Sequence, residues 1–194
     1  MADRYKILFT GTPGGGKTTA IKSVAGLNLY RSETLTEQGD APRAAHSPGK
    51  AAQATTVGMD YGELVLSNGS VLELYGTPGQ RRFAFRWRPL VRDALGLVIL
   101  VDNSRPNPIE DLGIYLENFK ALVDAGVAVI GVGRSEKHKH LPIDAYYEAL
   151  DKRHLMLPVF EVDVRKSDHV LMMLDVLFGM LEVSDGPART DVGA

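Results

Sequence analysis

Apolar positions along the chain fall into short unbroken runs, separated by longer stretches with helical spacing. Tyr5 to Thr10 (YKILFT) is short, apolar and bounded by glycine, which predicts a buried strand. Lys17 to Ala25 places Ile21, Val24 and Ala25 on one stripe and predicts a helix. Tyr61 to Leu66 and Val71 to Tyr75 flank Ser67-Asn68-Gly69-Ser70, and Asn-Gly between two alternating segments predicts a hairpin. Leu97 to Val101, Val127 to Val132 and Pro158 to Val162 are further apolar strands. Helices are expected over Ile109 to Ala125, over Ile143 to Arg153 after Pro142, and over Ser167 to Glu182. The first carries Leu112, Leu116, Phe119, Ala121 and Val123 among its apolar positions; the last repeats Val170, Leu174, Leu177 and Leu181. Residues 82 to 94 read as a basic, aromatic, partly helical connection.

Apolar strands separated by helices imply a mostly parallel sheet covered on both faces. The expected fold class is α/β, a three-layer α/β/α sandwich with six strands, one of them an antiparallel edge strand, and five helices. Residues 30 to 56 interrupt this pattern with a polar loop rich in Gly, Pro, Ser, Thr and Ala. A loop of that length inside a small domain is usually functional. The alternative, a linker between two domains, would leave pieces too small to fold separately. Residues 1 to 183 are therefore expected to form one domain, with residues 184 to 194 as a flexible tail. No internal repeat is visible.

Composition changes this picture little. The chain has 194 residues, 44% hydrophobic and 24% charged, which is ordinary for a globular protein. A net charge of -2 gives no argument for nucleic-acid binding. The absence of cysteine removes disulfides, thiolate metal sites and thiol catalysis, and suits a cytoplasmic location. No apolar run approaches the roughly 20 residues of a membrane span. The start lacks a signal peptide's apolar core, Ala2 is not a myristoylated glycine, and Asp191-Val192-Gly193-Ala194 has no prenylation cysteine. No direct membrane anchor is expected.

The chemistry sits at Gly11-Thr12-Pro13-Gly14-Gly15-Gly16-Lys17-Thr18, a match to the P-loop pattern between a predicted strand and a predicted helix. Glycines let successive backbone N–H groups turn inward around an anion, and the following helix adds its positive end. Gly14, Gly15 and Gly16 are the expected cradle. Lys17 is expected to reach the β- and γ-phosphates, Thr18 to bind Mg²⁺, and Thr19 to follow in the first helical turn.

With the P-loop placed, the remainder resembles the Ras-like small GTPases. Thr56-Val57-Gly58-Met59-Asp60-Tyr61 is similar to a first-switch motif, T-I-G-V-D-F. Leu74-Tyr75-Gly76-Thr77-Pro78-Gly79-Gln80 is similar to the second-switch pattern D-T-A-G-Q. Its Pro-Gly-Gln ending most resembles the bacterial MglA-type branch, whose members act in motility and cell polarity, often with a Roadblock/LC7-type regulator. The resemblance covers roughly residues 4 to 182. It implies GTP/GDP and Mg²⁺ as ligands, and effectors that bind the switch regions. Thr56 would sense the γ-phosphate and help bind Mg²⁺, the Gly79 N–H would contact the γ-phosphate, and Gln80 would orient the attacking water. With Lys17, Thr56 and Gln80 form the implied catalytic set.

Departures from the family pattern matter as much. Gly76 stands where the family has an aspartate that orients the Mg²⁺ shell; Asp60 and Asp102 are the candidates to replace it. Pro13 stiffens the loop and removes one N–H. The base-reading motif N-K-x-D is represented only by Gly133-Arg134-Ser135-Glu136. Glu136 would accept from guanine N1 and N2, and the stem of Arg134 would cover the base, while the asparagine contact is missing. Asp163-Val164-Arg165 stands in place of the family's S-A-K, where the Val164 N–H would meet the guanine oxygen.

Arg81, Arg82, Arg86, Arg88 and Arg92 sit with Phe83, Phe85 and Trp87 directly after Gln80. Such residues are common at interface hot spots. A core-plus-solvent reading and an arginine finger in cis are the alternatives. His138 and His140 are better read as solvated loop residues than as metal ligands.

The reading that follows is a GTP-dependent molecular switch with slow hydrolysis. The alternatives are a nucleotide-dependent binding module with little turnover, and a P-loop ATPase or kinase of another class.

Overall fold

The computed structural model describes residues 3–25, 29–32, 59–78, 90–135 and 141–184. The strands are β1 (Arg4–Gly11), β2 (Leu29–Ser32), β3 (Met59–Val65), β4 (Val71–Gly76), β5 (Ala94–Asp102), β6 (Ala128–Gly133) and β7 (Val159–Val162). The helices among the described residues are α1 (Lys17–Ala25), α2 (Pro108–Asn118), α3 (Lys120–Asp124), α4 (Ile143–Asp151) and α5 (Ser167–Ser184).

One sheet holds these strands in the order β2-β3-β4-β1-β5-β6-β7. β1 is parallel to β4 and β5, and β5, β6 and β7 continue in parallel. Only β3 runs against its neighbours, pairing antiparallel with β4 and β2. The α/β architecture and the mostly parallel sheet are those expected. The short strand β2 is additional: residues 30 to 32, read from composition as the start of a loop, pair with β3 and put the antiparallel strand one place in from the edge. The rest of that loop, from residue 33, lies outside the described residues.

Alternation along the strands sends apolar side chains to both faces. Ile7, Phe9, Leu72, Leu74, Val98 and Leu100 pack with Ala20 and Ile21 of α1 and with Val170, Met173 and Leu177 of α5. Leu8, Leu97, Ile99, Val101 and Ile130 pack on the other face with Leu112, Phe119, Val123 and Tyr146 of α2 to α4. The predicted helix 109–125 is two helices, broken at Phe119 (φ -110°, ψ 26°). Asn118 donates its side-chain amide to the Ile114 carbonyl at 2.7 Å, a local bond that competes with helix continuation. Phe119, turned into the core at 1% exposure, anchors the break.

The hairpin forms as expected. Gly69 takes φ 83°, its N–H donates to Leu66 O, and the Asn68 side chain accepts from Ser70 N–H at 2.9 Å. No helix among the described residues is long and apolar enough to cross a membrane. The chain leaves β1 toward β2, β3 and β4 on one side and later fills β5, β6 and β7 on the other. The carboxyl end of β1 is thus a topological switch point, where ligands bind in open α/β sheets.

Candidate functional site

Residues 11 to 18 turn at that switch point. Gly11 has φ 135°, and a Cβ there would lie 1.9 Å from the Leu100 carbonyl oxygen, so only glycine lets β1 end beside β5. Thr12 N–H donates to Leu100 O at 3.3 Å and Gly15 N–H to Thr12 O at 2.9 Å, closing the turn. Among the described residues, the N–H groups of Gly14, Gly16, Lys17 and Thr18 meet no protein acceptor. They sit at the opening of α1, so they form a donor-lined hollow at a helix amino terminus.

Lys17 projects from the first turn of α1 and is only 8% exposed. Its ammonium donates to Gly11 O (2.9 Å) and Thr12 O (2.8 Å), which fixes it across the loop. Burial pushes its pKa down to about 8, partly opposed by the negative charge of Asp60. The two acceptors are neutral carbonyls, so the buried ammonium has no anion in hydrogen-bond contact.

Thr18 donates its hydroxyl to Asp60 Oδ2 at 2.5 Å. Asp60 lies directly opposite Gly76 in the antiparallel register of β3 and β4. A Cβ on Gly76 would sit 3.0 Å from Asp60 Cβ and 3.3 Å from its Oδ2. The Asp60 carboxylate therefore fills the volume that a residue-76 side chain would take. Hydroxyl and carboxylate are the hard oxygen donors that suit Mg²⁺, which commonly takes one or two protein ligands and completes its shell with phosphate and water. No group of three or more acidic, His or Cys side chains capable of holding a metal occurs among the described residues, so any metal here draws on other oxygens.

Asp102, the other candidate, is committed elsewhere. It is 4% exposed, and its carboxylate accepts from Ser104 N–H (3.0 Å) and Oγ (2.6 Å) and forms an ion pair with Arg134. Arg134 follows β6 with φ 64°, and its second guanidinium nitrogen donates to Gly14 O at 3.0 Å. One side chain thus ties the ends of β5 and β6 to the crown of the phosphate loop. The sequence did not signal this bridge, because its members are 120 and 32 positions apart.

The outer side of the loop borders a cleft of about 710 Å³, lined by Gly14, Gly15, Gly16, Thr19, Arg134 and Val164 among others. Val164 closes over the loop: a Cβ on Gly16 would meet its Cγ2 at 2.7 Å. The turn carrying Val164 is braced by Arg165, whose Nε and Nη2 take both oxygens of Asp163 (2.8 and 2.7 Å) and hold that carboxyl well below the usual carboxylate range. Asp163 N–H also donates to His169 Nδ1 at 3.1 Å. The structure brings together Gly14, Gly15, Gly16, Lys17, Thr18, Thr19, Arg134 and Val164 of the expected site. Thr56, Gly79, Gln80 and Glu136 lie outside the described residues, as do the arginine–aromatic stretch up to residue 89 and His138 to His140. Ahead of that stretch, Thr77 ties the end of β4 to β1 through Phe9 O and the Thr10 hydroxyl, both at 2.8 Å.

The Thr12 hydroxyl is buried beneath the loop without a hydrogen-bond partner among the described residues. An unsatisfied buried hydroxyl costs about 1–3 kcal/mol. Thr12→Val, which keeps the shape, is expected to stabilise the ligand-free protein by about 1 kcal/mol, read as a higher denaturation midpoint in urea. A lower midpoint would mean that the hydroxyl has a partner.

No protein-family model matches the chain, and no curated protein matches it. Among solved structures, it is similar to the G domain of the FeoB iron transporter of T. maritima. The TM-score is 0.58 over 92% of this chain and 99% of that one, at 17% identity. The chain therefore has a G-domain fold.

Proposed function

We propose that the chain is a small GTP-binding protein that acts as a nucleotide-dependent switch with slow hydrolysis to GDP and phosphate. The observation that carries this reading is the phosphate hollow: unpartnered loop amides, the buried Lys17 ammonium, and Thr18 joined to Asp60 at one helix terminus. Lys17 neutralises the β- and γ-phosphates. Thr18, with Thr56, would hold Mg²⁺, and Asp60 would take the role left open at Gly76 by orienting the Thr18 hydroxyl. Mg²⁺ held there would supply positive charge beside the phosphates. Thr56, Gly79 and Gln80 act as the motif resemblance implies, sensing the γ-phosphate and orienting water. The base lies against Arg134 and the Val164 N–H, with Glu136 accepting from it. Arg134, held by Asp102 and Gly14, serves this end of the cleft as a brace as well as a cover.

The G-domain fold supports guanine over adenine, and the Pro-Gly-Gln element supports an MglA-type switch in bacterial motility or polarity. Partners in that reading are a Roadblock/LC7-type regulator and effectors that engage the switch segments, in the cytoplasm.

Lys17 gives the reading a pH signature. With its pKa near 8 in the free protein, it is protonated below that pH and neutral above it. Bound phosphate raises the pKa, so binding takes up a proton above pH 8. Affinity for fluorescent GTP analogue is expected to be level from pH 6.5 to 7.5 and to fall by about tenfold per pH unit above 8. Unlabelled GTP should displace the analogue, and ATP should do so poorly. A level profile to pH 9.5 would separate Lys17 from the phosphates. Displacement by ATP in preference to GTP would make the protein an ATP-binding one.

A further inference from the structure

One wall of the cleft is the turn Asp163-Val164-Arg165-Lys166, between β7 and α5. Its backbone donors are almost all taken. Lys166 N–H donates to Asp163 O at 2.9 Å and closes the turn. Arg165 N–H donates to Asp163 Oδ1 at 3.1 Å. Asp163 N–H leaves the turn and donates to His169 Nδ1, also at 3.1 Å. Val164 N–H is the one donor of the turn with no protein acceptor among the described residues. The Val164 side chain closes on Gly16 of the phosphate loop, so a shift of the turn would move the free donor and open that contact together.

The bonds between Asp163 and Arg165 lie inside the turn and travel with it. His169 holds it from outside. The imidazole stands in the first turn of α5, half-buried, and lines the same cleft. Val170, its neighbour, is fully buried, so the helix that carries it is anchored in the core. Accepting at Nδ1 places the ring proton on Nε2. A lone N–H at a cleft wall suits a carbonyl oxygen and opposes an amino group, donor against donor. Such a donor discriminates only if it cannot swing aside.

We propose that His169 is a positioning residue: it fixes the turn so that the Val164 N–H separates keto from amino purines. The proposal rests on the nucleotide reading of the cleft, and it does not ask His169 to touch the nucleotide.

The test is calorimetric titration of the full chain with GTP, ATP and inorganic tripolyphosphate, each with Mg²⁺. Tripolyphosphate carries the charge without a base. His169→Leu is expected to narrow the ratio of GTP to ATP affinity by about five- to tenfold, the usual effect of one hydrogen bond. Tripolyphosphate affinity should stay within about twofold. In His169→Asn the amide oxygen stands as many bonds from the backbone as Nδ1, and the ratio should recover. In His169→Gln the amide falls nearer the place of Nε2, and the ratio should stay narrow. Amide hydrogen exchange at Asp163 in the ligand-free protein should be slow in the parent and His169→Asn, and fast in the other two.

An unchanged ratio in His169→Leu, with GTP preferred by the parent, overturns the proposal alone. So does rescue by His169→Gln and not His169→Asn, which would put Nε2 on the ligand. An equal loss of tripolyphosphate affinity overturns it too, since His169 would then support the whole site and not the base. A parent protein that prefers ATP, or prefers neither nucleotide, overturns the guanine reading and this proposal with it.

Discussion

Replacing Asp60 by Ala should weaken Mg²⁺-dependent nucleotide binding by roughly 10- to 100-fold, the usual effect of removing a group that orients a metal ligand. Asp60 holds the Thr18 hydroxyl at 2.5 Å and occupies the space beside Gly76. Without the carboxylate, the Thr18 hydroxyl is free to rotate and would hold Mg²⁺ less well. Geometry extends the prediction to the neighbouring strand. Gly76→Asp alone crowds Asp60, since the new Cβ falls 3.0 Å from the Asp60 Cβ and brings two carboxylates together. It should lower both stability and Mg²⁺ affinity. Asp60→Gly combined with Gly76→Asp relieves the crowding and moves the acid across the β3–β4 pair. That double variant should recover most of the Mg²⁺ dependence lost in Asp60→Gly. The measurement is nucleotide affinity titrated against Mg²⁺ for each variant. Unchanged dependence in Asp60→Ala would remove Asp60 from the metal's surroundings.

Lys17→Ala should lower nucleotide affinity by more than about a hundredfold, since charge-assisted hydrogen bonds to a desolvated phosphate are worth about 3 kcal/mol. The side chain also spans the loop by bonds to Gly11 O and Thr12 O, so the loss combines charge and shape. Lys17→Met separates the two, because it keeps most of the volume. Both variants should bind weakly, while Lys17→Met should melt close to the parent protein. Its uncharged side chain carries none of the cost of burying an ammonium. Calorimetric titration with GTP and Mg²⁺ measures the first effect and thermal unfolding the second. Full affinity in Lys17→Met would mean that the loop amides alone hold the ligand.

Much of this arrangement is legible in the chain. Glycine-bounded apolar runs mark β1 and the central strands, Asn68-Gly69 marks the hairpin, and the eight residues from Gly11 to Thr18 mark the phosphate loop. Each signal is local: a period, a turn preference, a motif. What escapes local reading depends on which strands become neighbours. Asp60 and Asp102 are equivalent candidates along the chain. The β3–β4 register puts one beside Gly76 and Thr18, and the end of β5 gives the other to Arg134 and Ser104. Strand β2 escapes for a related reason. It is four residues long and pairs only with β3, so it carries too little pattern to stand out from the polar segment that follows. The break at Phe119 is similar, since a buried aromatic at helical spacing fits one helix or the corner between two.

In the proposed function the hollow around Lys17 holds a guanine nucleotide. The most direct measurement denatures the purified protein, after incubation with equal GTP and ATP in Mg²⁺ and removal of unbound ligand, and identifies what is released. GTP or GDP near one equivalent from the parent protein, and neither from Lys17→Ala, is the predicted result. Release of no nucleotide from the parent protein, or of adenine nucleotide alone, would contradict it.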